Sequence, residues 1–466
     1  MQAVAIYGSA GTGKTTTLVQ LIDGLVSRGY APDSIGYFSF TRAAVREMLK
    51  RLGLSSSNLV CTLHSMCFQH LGLSKDSVVD QGLLTKFGKE YGYEFSKTRD
   101  RALGDMYLAT LSLMKHRKLT IDSLPPNMVM VPRGRLMEFQ ERYEGFKKRY
   151  YLLDFDDMLM KYVNEAPAHA ARVLFVDEAQ DLSPLQWDVV RAFIRAGDIE
   201  LAVVAGDDDQ AIYEWSGANP HGIGEFEKEF DARRMVLDVG YRLPRSVHAL
   251  SQRVIDGVVN RVPKTVSPRD ADGGVVGISE LTPRILAGMN RPLILARTNL
   301  IKRRVEARLI QLKIPYTNRE KDSPWENATA RALRALVKYD RGDVLDKAEL
   351  RLLKRKVDDS TWSKIDGGEP LGVEPWKVID IKPKWVDFYR SFDVDEPIDV
   401  TVSTIHASKG SEAADVVLCD VISHVVAQMA HMNPDAERRV WYVGATRARE
   451  RLFILRDLTL GDRYGI

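Results

Sequence analysis

The run Gly8-Ser9-Ala10-Gly11-Thr12-Gly13-Lys14-Thr15, followed by Thr16, has the residue types and spacing to hold phosphate. Its glycines let backbone N–H groups turn inward around phosphate oxygens at the positive end of a helix. Lys14 adds a mobile point charge for β and γ phosphates, and Thr15 offers a hydroxyl to magnesium. All eight positions match the P-loop spacing, with an apolar run before and a helical pattern after, which an incidental glycine turn would not supply. A second signal is Val173-Leu174-Phe175-Val176-Asp177-Glu178-Ala179-Gln180-Asp181. An apolar strand there delivers Asp177 to its C-terminal end, where it can hold magnesium through water. Glu178 beside it can orient and deprotonate an attacking water. Two acids after a strand can also mark a helix N-terminus favoured by its dipole; the phosphate loop upstream argues for the chemical role.

Such residues need short strands feeding helices, and the pattern supplies them. Strands are expected at 4–7, 35–40, 59–62, 172–176 and 201–205, with helices at 15–28 and 42–52. Short buried runs alternating with helices indicate a parallel sheet covered on both faces. Residues 67–163 differ in character, with helical periodicity and basic clusters, and are expected to be a helical insertion broken near Pro125-Pro126. A second α/β pattern follows Tyr241-Arg242-Leu243-Pro244, with strands at 293–296, 400–405, 414–421 and 452–455 and a basic helix at 300–312. Between them, residues 318–396 form another insertion carrying Trp325, Trp362, Trp376 and Trp385. The fold class is therefore α/β, with one sheet domain from 1–66 and 164–240 and a second from 241–317 and 397–466.

Composition is compatible with this division. A chain of 466 residues is too long for one core and suggests about three domains. Hydrophobic residues at 45% and charged residues at 28% exclude a largely disordered or collagen-like chain. No uncharged apolar stretch approaches the ~18 residues of a membrane span, and the N-terminus lacks the pattern of a signal peptide. A net charge of +3, from 66 basic and 63 acidic residues, leaves nucleic-acid binding to local segregation of charge. Three cysteines cannot build a disulfide framework, which fits a reducing, cytoplasmic setting. The series Cys61, His64, Cys67, His70 repeats every three residues, but on a helix such steps wind apart rather than converge on zinc. Little chain follows the last expected strand, so no appended C-terminal domain is expected.

The remaining motifs occur in a fixed order. They are Phe40-Thr41-Arg42-Ala43, Thr62-Leu63-His64-Ser65, Leu153-Asp154-Phe155-Asp156-Asp157-Met158, Gly206-Asp207-Asp208-Asp209-Gln210-Ala211-Ile212-Tyr213-Glu214-Trp215, Gly240-Tyr241-Arg242, Thr404-Ile405-His406-Ala407-Ser408-Lys409-Gly410-Ser411-Glu412 and Val443-Gly444-Ala445-Thr446-Arg447. With the phosphate loop and acidic pair, this series resembles the UvrD/Rep family of superfamily 1 helicases across both sheet domains.

The resemblance implies two RecA-like P-loop motor domains, each interrupted by an accessory insertion, and ATP with Mg2+ as nucleotide and metal. It implies that Gln210 senses the γ-phosphate while Arg242 and Arg447 reach it from the second motor domain. It places Tyr241 on the base and Glu412 on the ribose. It assigns DNA contact to Phe40, Thr62, His64, Tyr213, Trp215 and His406, with aromatic stacking that is indifferent to sequence. Basic clusters at His116-Arg117-Lys118 and Lys147-Lys148-Arg149 are candidates to line DNA. The implied activity is ATP-driven 3′ to 5′ movement on single-stranded DNA with duplex unwinding at single-strand/duplex junctions, with replication or repair proteins as partners and no membrane. Alternatives are a translocase that displaces proteins with little unwinding, and an ATP-switched nucleic-acid clamp. Departures from the family pattern are Glu214 and Ser216 flanking Trp215, Ser411 in place of a common leucine, and a short second insertion. The phosphate loop also lies so close to Met1 that the family's adenine-reading glutamine segment is expected to be missing.

Overall fold

The computed structural model describes residues 1–39, 42–96, 102–125, 131–390, 393–395, 397–457 and 459–466. The chain divides into two compact units, Met1–Arg242 with Val258–Arg269, and Leu243–Gly257 with Asp270–Ile466.

In the first unit, strands β1 (Gln2–Gly8), β2 (Ile35–Ser39), β3 (Val60–Cys61), β4 (Val173–Asp177), β5 (Leu201–Gly206) and β6 (Arg233–Leu237) form one sheet. Their order is β3-β2-β4-β5-β1-β6, and every pairing is parallel. Parallel neighbours require long crossovers, so helices cover both faces. Because successive strand residues point to opposite faces, Ile6, Tyr37 and Phe175 enter one core with Leu18 and Ile22. Tyr7, Phe38 and Val176 enter the other, with Trp187 and Phe193. The second core includes the helix Pro184–Ala196, whose start is fixed by Pro184 and by a capping box in which Ser183 and Gln186 satisfy each other's backbone N–H.

The helical insertion has its own aromatic core, where Phe87 meets Phe139, Tyr143 and Phe146 at 5.3–5.6 Å between ring centroids. Its root is closed by backbone bonds from Val79 N to Leu153 O and from Leu153 N to Ser77 O, each 2.9 Å. Packing therefore narrows the insertion relative to the expected 67–163. Cys67 and, after the insertion, Leu159 and Tyr162 already belong to the sheet core.

After the ribbon formed by β7 (Val239–Pro244) and β8 (Ser267–Arg269), the second unit holds a second sheet. It consists of β9 (Gly274–Ile278), β10 (Leu293–Ala296), β11 (Tyr316–Asn318), β12 (Val400–Thr404), β13 (Ala413–Cys419) and, beyond the short β14 (Val421–Ile422), β15 (Ala448–Leu455). The order is β11-β12-β10-β13-β15-β9, again all parallel. Strands β6, β9 and β11 were not expected from the sequence; β6 and β9 are half-exposed strands at sheet edges, and β11 is three residues long. The second insertion builds a separate core around Leu333, Leu336, Leu353 and Tyr389. Trp325 is not part of it, since its ring packs with Tyr316 in the core of the sheet.

One segment departs from the expected division. Residues 241–242 and Val258–Arg269, assigned by sequence to the second sheet domain, group with the first unit. No helix among the described residues is long and apolar enough to cross a membrane.

Candidate active site

Strands β1, β4 and β5 end side by side, and the turns that follow them carry the candidate nucleotide residues. After β1, Gly11 and Gly13 adopt φ of +78° and +81°, a left-handed conformation that L side chains resist. A Cβ on Gly11 would also stand 2.3 Å from the Cβ of Arg242. Thr12 Oγ1 donates to Ser9 O at 2.9 Å and Lys14 Nζ donates to Gly8 O at 2.8 Å, so the ammonium is held inside its own loop. Ser9, Ala10 and Thr12 are buried with it, and Thr16 lies in the first turn of the helix Lys14–Ser27.

After β4, Asp177 is 1% exposed. Its Oδ2 accepts from Thr15 Oγ1 and from the Tyr37 hydroxyl, both at 2.9 Å, and its Oδ1 accepts from Glu178 N at 2.9 Å. Burial, and then the adjacent charge of Glu178, push the Asp177 carboxyl up to about 6. A hydroxyl and a carboxylate are the hard oxygen donors that magnesium takes, and a dication would neutralise this penalised charge. Thr15 and Asp177 therefore fit a magnesium site.

Glu178 itself has φ of +54°, a left-handed conformation uncommon for a side-chain-bearing residue and retained where the surroundings enforce it. Its carboxylate is held by Gln180, which is fully buried. Its Nε2 donates to Glu178 Oε2 at 2.5 Å, and its Oε1 accepts from Asp207 N at 3.0 Å. Asp207 Oδ2 in turn accepts from Gln210 Nε2 at 2.7 Å. Burial opposes ionisation of Asp207, but Lys264 and then Lys14 outweigh it and hold its carboxyl below the ordinary range. A hydrogen-bonded line thus runs from Glu178 through Gln180 and Asp207 to Gln210.

Three residues past Gln210, the chain makes a tight turn in which Ser216 N donates to Tyr213 O and Gly217 N to Glu214 O, each at 3.0 Å. Trp215 on this turn is 57% exposed, and Tyr213 is half-buried. Beside β2, β3 and β4 lies a cavity of about 450 Å³ lined by Ser39, Thr62, His64, Phe155, Asp177 and Gln186 among others. Thr62 caps the helix Leu63–His70, accepting from Ser65 N at 3.3 Å. The His64 imidazole, edge-on to Phe155, is pushed down by burial and by His116. Phe40 lies outside the described residues.

Tyr241 N donates to Gly11 O at 2.9 Å, and its exposed ring lies 3.7 Å from where a Cβ on Gly13 would stand. The expectation that Arg242 belongs to the second domain is corrected, because it packs against Gly11 within the first unit. In the second unit, His406 follows β12, and Glu412 pairs with Arg449 at 3.1 Å. Arg447 is 1% exposed, donating to Val443 O at 2.9 Å and to Ser411 O at 3.3 Å.

Residues 1–231 match the model of the UvrD/REP helicase N-terminal domain, and residues 399–455 match that of the UvrD-like helicase C-terminal domain. The chain belongs to the UvrD/Rep helicase family. It is 27% identical to the ATP-dependent DNA helicase UvrD2 of Mycobacterium tuberculosis, across 96% of this chain and 76% of that one. It is 28% identical to the ATP-dependent DNA helicase PcrA of Leuconostoc citreum, across 67% of this chain and 47% of that one. An arterivirus nonstructural protein 10 helicase structure covers 97% of this chain and 59% of its own at 11% identity, with a TM-score of 0.36. The two parallel sheets are those of two RecA-like motor domains.

Within this helicase frame, several residues escaped sequence reasoning. Tyr37 reads only as a strand residue, yet its hydroxyl fixes Asp177. Gln180 is visible as part of the acidic motif, but its two hydrogen bonds, donated to Glu178 and accepted from Asp207 N, need tertiary structure. The basic clusters serve the fold. His116 joins Ser183 Oγ at 2.7 Å and Asp156 at 3.0 Å, Arg117 donates to Glu214 O at 2.5 Å, and Lys118 pairs with Asp188 at 2.7 Å. Lys147, 2% exposed, is enclosed by Asp154 and Asp157, and Arg149 pairs with Glu90 at 2.5 Å. Among the described residues, the set of carboxylate, imidazole or thiol groups converging closely enough for a metal is Glu144, Asp154 and Asp157. Those carboxylates already hold Lys115 and Lys147. Of the Cys61, His64, Cys67, His70 series, Cys61 lies on β3 and the other three on the helix Leu63–His70.

Proposed function

We propose that this helicase-family chain hydrolyses ATP to move from 3′ to 5′ along single-stranded DNA and to unwind duplex at its junctions. The observation that carries the reading is the line Glu178–Gln180–Asp207–Gln210, which continues within five residues to the exposed indole of Trp215. Residues 8–15 cradle the phosphates with backbone N–H groups, and Lys14 balances their charge. Glu178, held by Gln180, takes a proton from the attacking water, while Gln210 senses the γ-phosphate. Magnesium, when held by Thr15 and Asp177, neutralises phosphate charge. Arg242 and Arg447 supply the guanidiniums that offset charge developing in transfer, and Tyr241 offers a face for the base. Tyr213 and Trp215 stack on bases without regard to sequence, with Thr62, His64, Phe40 and His406 contacting the strand.

Strand displacement on 3′-tailed, 5′-tailed and blunt duplexes tests this reading. Unwinding of the 3′-tailed substrate that requires ATP supports it. ATP turnover with directed movement but little displacement identifies a protein-stripping translocase, and nucleotide-dependent DNA binding with almost no turnover identifies a clamp.

A further inference from the structure

Three consecutive carboxylates, Asp207, Asp208 and Asp209, follow β5 and are 0–4% exposed. Adjacent buried anions of this kind are unfavourable unless paired. Their partners come from Val258–Arg269, the segment that returns to the first unit between two stretches of the second. Lys264 Nζ lies 2.5 Å from Asp208 Oδ1, 3.0 Å from Asp209 Oδ2 and 3.4 Å from Asp207 Oδ1. The Arg261 guanidinium grips Asp209 with both ends, at 2.8 and 2.6 Å. Val262 N adds a bond to Asp208 Oδ2 at 2.7 Å.

We propose that Arg261 and Lys264 are positioning residues for ATP hydrolysis, holding the Asp207–Gln210 turn so that Gln210 and Glu178 keep their reactive placement. The inference rests on the hydrolytic reading above. Asp207 is the hinge of the argument. Its N–H fixes Gln180, and through it Glu178, while its carboxylate fixes Gln210 and faces Lys264. A shift of Asp207 therefore moves both reactive side chains together. Three carboxylates and two cations are all withdrawn from water here, so the cluster is an inefficient way to stabilise a fold. It is an effective way to fix direction, because the paired fork on Asp209 and the three contacts of one ammonium leave the turn few alternative arrangements. Misplacement of a reacting group by about 1 Å costs on the order of 10² in rate.

The test measures kcat and KM for ATP with saturating oligo-dT, alongside thermal melting, for Lys264→Met, Arg261→Gln, Arg261→Lys and the charge-balanced pair Lys264→Met with Asp208→Asn. Lys264→Met and Arg261→Gln are expected to lower kcat by about 10². KM should stay within about threefold, because the phosphate cradle at residues 8–15 is untouched, a difference under roughly 0.7 kcal/mol. Arg261→Lys, which keeps the charge but loses the two-ended grip on Asp209, should recover only part of the loss. A folded single variant with wild-type kcat overturns the inference, as does a raised KM with kcat unchanged. If both single variants fail to fold, wild-type kcat in the charge-balanced pair overturns it, and a lowered kcat there supports it. Failure of that pair to fold as well shows a structural role and likewise overturns it. Absence of ATP turnover in the wild-type chain instead overturns the hydrolytic reading.

Discussion

Replacing Trp215 by alanine separates a gripping residue from a core residue. The indole is 57% exposed. A tryptophan at full burial hides about 150–250 Å², so less than half, about 100 Å², is hidden here. At about 25 cal/mol per Å² that burial is worth about 2.5 kcal/mol, and unfolded-chain compaction lowers it to about 1.5–2 kcal/mol. The turn does not depend on the indole, because it is held by backbone bonds at residues 213–218 and by Arg117 on Glu214 O. Trp187, fully buried against Phe226, is the internal control, and its loss should cost about 3–5 kcal/mol. Base stacking is worth about 1–3 kcal/mol, so Trp215→Ala should weaken oligo-dT binding by about 5- to 150-fold. Fluorescence anisotropy with labelled oligo-dT reads the affinity, and thermal melting reads the fold. A Trp215→Ala chain that melts like Trp187→Ala and binds oligo-dT as tightly as wild type refutes the assignment.

Lys14→Ala and Glu178→Gln should each nearly abolish DNA-stimulated ATP hydrolysis, and Glu178→Gln should still bind ATP because the cradle and Asp177 remain; phosphate release and equilibrium nucleotide binding measure the two effects. Arg447→Ala should lower turnover by about 10³ to 10⁵, and its lost bonds to Val443 O and Ser411 O should cost about 1–3 kcal/mol in melting. Within the helical insertion, burial would raise the Asp154 carboxyl, but Lys115 and Lys147 outweigh it and hold the group down to about 2. The stabilisation is present above about pH 4 and lost as pH falls toward about 2, an effect of roughly 2 kcal/mol. Amide exchange of the insertion helices during acid titration should show that loss, and Asp154→Asn should remove this pH dependence.

The phosphate loop and acidic pair are legible in sequence because their chemistry is local. A backbone cradle needs closely spaced glycines, and a metal-holding carboxylate needs a strand immediately before it. The buried strands β1, β2, β4 and β5 are legible for a related reason, since both faces are covered and their residues form nearly continuous apolar runs. Strand β6 lacks that signal. Its opening arginines are exposed, and its place in the sheet is set by pairing to β1. The basic clusters mislead for the opposite reason. His116 and Lys147 look like surface charge until Asp156 folds against the one, and Asp154 and Asp157, just past the end of the helix Arg133–Arg149, fold against the other. Lys264 sits in Arg-Val-Pro-Lys-Thr-Val, where no local pattern marks it as the partner of carboxylates more than fifty residues earlier.

Placement of charge also distinguishes what this chain needs for stability from what it needs for chemistry. The sheet cores are built from apolar residues and do not include Asp177, Asp207, Asp208 or Asp209, each of which carries a desolvation cost. All four lie at the ends of β4 and β5, next to the phosphate loop after β1. A sheet end is where side chains can be buried on one flank and face substrate on the other. The turn after β5 extends this logic along the chain. Asp207 to Asp209 anchor it, and Gln210, proposed to sense the nucleotide, and Tyr213 and Trp215, proposed to stack on bases, follow within the same nine residues. A rigidly anchored turn of that length has few internal degrees of freedom in which to dissipate a change at Gln210. A displacement at Gln210 would therefore be carried to the aromatic pair, so the proposed coupling of hydrolysis to grip requires no longer pathway.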